Sequence, residues 1–217
     1  MEPLHLRVPI AIIGVAAATL SATGLVAVSR ITALARDRVH QATLDLVELR
    51  AKEIEGFFRE RGRVVRTVFS DPTVLEWFAA YDEPRRPLDD DPQWRQVQGF
   101  FRALPATDPS ILSVFFATEN TGEYFRDQGR VERAGYDPKQ RWWWAEALEK
   151  DRLYVSPPGV DAGTGDIAVT IQSTFYHPDG RLLGVGGIDV LLGTLGALVE
   201  RIRYEGVGHG FLVNELG

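Results

Sequence analysis

Ile167-Ala-Val-Thr-Ile-Gln-Ser-Thr-Phe-Tyr176, His177-Pro-Asp-Gly180 and Arg181-Leu-Leu-Gly-Val-Gly-Gly-Ile-Asp-Val-Leu-Leu192 read as strand, tight turn and strand. A turn that short forces antiparallel pairing, because parallel strands need a crossover of a dozen residues or more. The reading extends upstream. Ile111 to Ala117 is apolar and β-prone, Glu119-Asn-Thr-Gly122 is a turn, and Tyr124 and Phe125 open a return strand. Tyr154 to Val160 makes a fifth strand. The stretch from Ala197 to Arg203 reads as a helix, and Gly208 to Asn214 begins another strand that has no partner before Gly217, so the end looks like a cut.

Before the sheet the period is helical. Between Ile31 and Phe69 there is no proline, and Leu44, Val47, Ala51, Ile54, Phe58, Arg61, Val65 and Val68 step by threes and fours. That is an a/d seam with one charged defect, open to packing on the protein's own sheet or on a second copy. Asp71 caps a short helix with Pro72 at its first position. The run Asp82 to Pro92 is a charged loop before a helix from Gln93 to Leu104. Its Asp89-Asp90-Asp91 lacks the glycine and spaced ligands of a calcium loop. The whole is an α+β domain: a long amphipathic helix, helical excursions and a five-stranded antiparallel sheet.

Residues Val8 to Ser29 carry no charge, and 22 helical residues rise ~33 Å against a hydrocarbon core of ~30 Å. The stretch is too long for a standard cleaved signal, so an uncleaved transmembrane anchor is expected. Arg30, Arg36 and Arg38 follow the span and only Arg7 precedes it, a charge bias that alone would place the C-terminal side in the cytoplasm. Net charge of −6 over 217 residues argues against a nucleic-acid partner. Cysteine is absent, which removes disulfides, thiolate metal sites and a cysteine nucleophile.

Chemistry concentrates in Tyr136-Asp-Pro-Lys-Gln-Arg141-Trp-Trp-Trp144, followed by Asp161 and Asp189. Arg141 offers a planar fork suited to a carboxylate, or is a solvated surface cation. Three consecutive indoles are an improbable surface. One or two belong to the core, each needing an N–H partner. Asp161 by itself is a turn former within Gly159-Val-Asp-Ala-Gly-Thr-Gly165. Asp189 interrupts an apolar strand and must be paired, face a pocket or destabilise the fold. Arg141 is the structural alternative as its partner. The four histidines are scattered, and no nucleophile elbow, zinc pattern or phosphate loop appears. The glycines of Leu183-Gly-Val-Gly-Gly-Ile188 lie in a strand and open no helix, so a nucleotide reading fails. No enzyme is expected from this chain, and no cofactor or metal.

Taken in order, Tyr136-x4-Arg141-x-Trp143-Trp144, then Val155-Ser-Pro-Pro-Gly-Val-Asp161-Ala-Gly-Thr-Gly165, then Tyr176 through Asp189 resemble the membrane-distal module of double Cache (dCache) sensor domains. These are extracytoplasmic, PAS-like ligand-binding domains of bacterial chemoreceptors, sensor histidine kinases and cyclic-dinucleotide enzymes. The resemblance covers roughly residues 8–217 and is strongest over 134–192. It implies residues 1–7 in the cytoplasm, a single span at 8–29, a signalling and dimerisation helix at 30–70, a PAS-like module at 71–205 and the start of a membrane-proximal module at 206–217. It also implies a periplasmic location, outside the inner membrane, against the charge bias.

By the same resemblance Tyr136, Arg141 and Trp143 face a ligand carboxylate. Trp144, Asp161 and Asp189 face its ammonium, with Trp144 adding a cation–π contact. The expected partners are a small amino acid, amine or carboxylate, the membrane, and a second copy along the long helix. Trp142 stands where the family has proline and reads as packing. Gly159 stands where the family has an aromatic, which enlarges the pocket or retunes its amine side. The competing expectation is a structural or dimerising domain without a ligand, in which the arginine and aspartates pair with one another.

Overall fold

The computed structural model describes residues 4–131, 135–161 and 164–200, with residues 4–14 and Leu198 described through their backbone alone. The chain divides into two compact units, residues 1–50 and 51–217. Helix α1, Leu4–Phe69, contributes to both. Among the described residues it is the one helix long and apolar enough to cross a membrane. Within the first unit Val15, Leu20, Leu25, Val28, Leu44 and Val47 are all exposed.

In the second unit the end of α1 turns the seam inward. Val65 and Phe69 are fully buried, and Ile54, Phe58 and Val68 pack against the same core. Its charged member is accommodated rather than tolerated. Arg61 donates to Asp108 at 2.8 Å and to Ser110, with its guanidinium 3.5 Å from the Phe57 ring centroid. From Ile54 onward the seam therefore serves the protein's own fold. Leu44 and Val47 of the first unit are exposed.

Two short-range caps start the next helices. Asp71 accepts from the Thr73 amide to begin α2, Pro72–Ala80. Asp91 accepts from the amides of Gln93 and Trp94 to begin α3, Pro92–Thr107. Asp91 is more than the solvated loop residue expected: it also takes the Trp77 indole N–H at 3.0 Å and Arg86 at 2.8 Å. Each buried N–H left without such an acceptor would cost about 1–3 kcal/mol.

The sheet is antiparallel throughout, in the order β3-β2-β1-β7-β6-β4, with β5 also on β6. Its long members are β1 (Ile111–Thr118), β6 (Ile167–Tyr176) and β7 (Leu182–Leu191), and β2 is Tyr124–Arg126. The expected Tyr154 to Val160 strand divides into β4 (Tyr154–Val155) and β5 (Gly159–Val160), because Pro157 and Pro158 between them supply no N–H to a ladder. The two-residue β3 (Gly129–Arg130) completes seven strands instead of five. Helix α4, Trp142–Lys150, follows a single 3-10 turn at Pro138–Gln140, and α5 is Leu192–Glu200. The end of the helix expected to reach Arg203, the strand expected at Gly208 to Asn214, and the segment 206–217 lie outside the described residues.

Strand alternation gives the sheet two faces. Val114, Phe116, Phe125, Val169, Ile171, Phe175, Ile188 and Val190 join α1, α2 and α3 in the main core. Two glycines of β7 allow the close approach. A Cβ on Gly186 would lie 2.8 Å from Phe116 and 3.1 Å from Phe69. A Cβ on Gly184, whose φ is +156°, would lie 1.9 Å from the Ala117 carbonyl oxygen. The opposite face carries Ser113, Phe115, Tyr124, Arg126, Thr170, Gln172, Gly187 and Asp189, by the registers Ser113↔Asp189↔Thr170 and Arg126↔Phe115↔Gly187.

Candidate ligand-binding site

The second face is roofed by the start of α4 and bounded at the β6 edge of the sheet by the segment running through β4 and β5. Between roof and sheet lies a cavity of about 200 Å³, lined by Tyr136, Arg141, Trp142, Trp143, Gly159, Asp161 and Asp189, with Phe115, Tyr124, Arg126, Ser156 and Thr170 among its other walls. Five of the six residues singled out from sequence meet there. The roof is tied down by a fully buried amide: Gln172 donates to the Trp143 carbonyl at 3.1 Å and also to the Tyr154 hydroxyl.

The sixth, Trp144, does not reach the cavity. It is 4% exposed and packs with Ala117, Ala147 and Val185. The next 100° step of the helix after Trp142 and Trp143, which both line the cavity, turns Trp144 into this second cluster. The cation–π place over Trp144 belongs to Lys139, whose Nζ lies 5.8 Å from the ring centroid and 2.8 Å from Glu119. Trp142, expected as packing, is instead 54% exposed at the cavity mouth.

Asp189 is 8% exposed, and each carboxylate oxygen holds one hydroxyl: Ser113 at 2.6 Å and Thr170 at 2.8 Å. Those partners are its direct cross-strand neighbours on β1 and β6, so the register itself builds the carboxylate's cradle. Burial raises its pKa above the ordinary carboxylate value. The two hydroxyls and Arg126 pull it down, and Asp161 pushes it further up. Burial also drives the Tyr124 phenol well above its ordinary value, reinforced by the Asp189 charge, so this hydroxyl stays neutral. Asp161 accepts the Thr164 amide at 2.8 Å, which confirms its turn and places it on the wall at once.

Arg141 caps α4 with its backbone and makes no side-chain cap hydrogen bond. Among the described residues it forms no ion pair with Asp189, whose oxygens go to the hydroxyls. The aromatic wall is continuous: Phe115–Trp143 and Tyr124–Tyr136 centroids are each 5.5 Å apart, and Phe115–Tyr124 are 5.6 Å apart. Gly159 lies on the wall, and a Cβ built there meets nothing within 4 Å.

Residues 92–197 match the family described as "Methyl-accepting chemotaxis protein-like, first PDC sensor domain". Over this segment the chain is similar to the sensor domains of chemoreceptors. Its sequence is similar to methyl-accepting chemotaxis protein McpA of Pseudomonas putida, 31% identical over 114 residues, 52% of this chain and 17% of McpA. The chain thus spans about a sixth of that relative's length. Its structure is similar to the ligand-binding domain of the Pseudomonas aeruginosa amino acid chemoreceptor PctC in complex with GABA. The TM-score is 0.54 at 28% identity, covering 71% of this chain and 64% of that one. The sensory domain of Campylobacter jejuni chemoreceptor Tlp3 shares the fold, with a TM-score of 0.60 at 21% identity, 78% of this chain and 66% of that one.

The cavity also contains residues that the motif reading passed over. Tyr124 and Arg126 flank Phe125, whose side chain is fully buried in the main core. Period-2 alternation from that one apolar residue was enough to send both neighbours to the opposite face.

Proposed function

We propose that this chain is a membrane-anchored extracytoplasmic sensor whose cavity binds a small amino acid or a related amine or carboxylate. The observation that carries the reading is the cavity's unpaired opposite charges. Arg141 stands on the wall without an acceptor among the described residues, while Asp189 is buried with hydroxyls and no contacting cation. A zwitterion supplies both missing partners in a site whose aromatic walls exclude water and strengthen each pairing. Tyr136, Arg141 and Trp143 take the carboxylate, and Asp161 and Asp189 take the ammonium. The PctC complex supports this, since GABA also joins one carboxylate to one amine.

In this reading residues 1–7 are cytoplasmic, 8–29 span the inner membrane, 30–70 form a signalling and dimerisation helix, and 71–205 are the periplasmic module, with 206–217 opening a second. Ligand binding shifts a population of module conformations, and the long helix carries that shift to the membrane. The receptor output belongs to other sequence, consistent with the short span shared with McpA.

The test is calorimetry and thermal shift on the full chain in nanodiscs against amino acids, amines and carboxylates. Stabilisation by at least one amino compound, lost in both Arg141→Ala and Asp189→Asn, is the expected result. A folded chain that binds none of them, and that Arg141→Ala unfolds, would establish the structural alternative.

A further inference from the structure

The cavity holds more hydrogen-bond donors than a simple zwitterion can use. Besides Arg141 it is lined by Arg126, on β2. The Nε of Arg126 is sealed from water and has no acceptor, and its guanidinium makes no hydrogen bond or ion pair among the described residues. A guanidinium carries five N–H donors and no acceptor. Such a half-buried group needs acceptors, and a ligand in the cavity can supply them.

The acceptors on the other side are partly spent. Both Asp189 oxygens already take hydroxyls, and Asp161 takes the Thr164 amide. Strand order separates the two subsites. Arg126 stands on β2 and Asp189 on β7, with β1 between them, so their backbones lie ~10 Å apart across the sheet. Gly187, in register between Phe115 and Gln172, contributes no side chain to the floor that separates them. Arg126 lines the same cavity as Asp189, and its charge acts on the Asp189 carboxyl.

We infer that Arg126 forms a second anion subsite, and that the ligand is an amino diacid carrying one ammonium and two carboxylates. This rests on the reading of the cavity as an amino-compound site and names the ligand class within it. Arg141 holds one carboxylate at the cavity mouth, Asp161 and Asp189 hold the ammonium, and Arg126 holds the second carboxylate over Phe115. A neutral amide in place of that carboxylate keeps the shape and one acceptor oxygen, but loses the charge and replaces the second oxygen with an N–H₂ donor.

The discriminating measurement is titration calorimetry on the full chain in nanodiscs with L-glutamate against L-glutamine and L-aspartate against L-asparagine. At least one acid is expected to bind about tenfold or more tightly than its own amide, as for a charge-assisted pair against a neutral one. Arg126→Gln is expected to erase that preference, lowering affinity for the acid by far more than that for the amide. The wild-type comparison stands even if the variant misfolds. Amides that bind as well as both acids, or a folded Arg126→Gln that weakens acid and amide equally, would overturn the inference and leave the amino-compound site standing. Binding of no amino compound at all would overturn both.

Discussion

The two faces of one sheet solve opposite problems with alternate residues of the same strands. Toward α1, α2 and α3 the strands present Phe116, Phe125, Ile171 and Ile188, fully or almost fully buried, and Phe78 of α2 meets Phe116 with ring centroids 3.9 Å apart. Toward α4 they are Ser113, Tyr124, Arg126, Thr170 and Asp189, around open space. The first face supplies the burial that makes the domain fold. The second pairs Asp189 with two hydroxyls and leaves Arg126 without an acceptor among the described residues, at some cost in stability.

Substitutions can break this contrast, beginning with the core. Phe116→Ala should cost about 3–5 kcal/mol in urea unfolding, the range for an aromatic removed from a packed interior. A cost below that of Phe115→Ala, on the cavity face, would invert the assignment of the faces. Next comes Asp91→Ala, expected to cost about 2–4 kcal/mol because it removes a helix cap and leaves the Trp77 indole N–H unsatisfied. Burial opposes ionisation of Asp91, but the amides of Trp94 and Gln93, the Trp77 indole and Arg86 together outweigh it and hold the pKa below the ordinary value. Its contribution is therefore complete above the unfolded carboxylate pKa of about 3.9 and is lost as pH falls through the depressed folded value. Asp91→Ala should flatten that acid limb.

Asp189 should behave with the opposite sign. Its folded pKa is raised, so the folded protein holds this proton more tightly and loses stability as pH rises from the unfolded value through the folded one. Asp189→Asn should leave the melting temperature at pH 7 unchanged or higher while abolishing binding of amines. A large drop in melting temperature would mean that the carboxylate is a structural member of the sheet. The smallest stability effect is expected at Gly159. Gly159→Tyr should change stability by less than about 0.5 kcal/mol, since its Cβ meets open space, yet weaken binding of bulkier amino acids. Unchanged ligand preference there would remove Gly159 from the determinants of pocket size.

The sequence reading reached the sheet because its turns are written in short polar stretches, as at His177 to Gly180, and because alternation leaves a residue such as Asp189 conspicuous. It missed β3 and the division at Pro157 and Pro158, where two-residue strands carry too little pattern to register. At the site it ran out where the answer depended on helical phase. Trp142, Trp143 and Trp144 are identical in chemistry, and only the start of α4 decides which is mouth, wall and core. Arg126 escaped because an arginine in a three-residue strand looks like solvated surface until its neighbour Phe125 is seen to be buried.

The disposition of the indoles has an optical consequence. All five tryptophans are described, and Trp77, Trp94 and Trp144 are at most 4% exposed, while Trp142 and Trp143 line the cavity. Three emitters thus give a constant blue-shifted background, and two sit where a bound carboxylate would change their polarity and quenching. Excitation at the red edge selects the wetter pair, so the intrinsic emission of the unlabelled protein serves as a gauge of how full its cavity is.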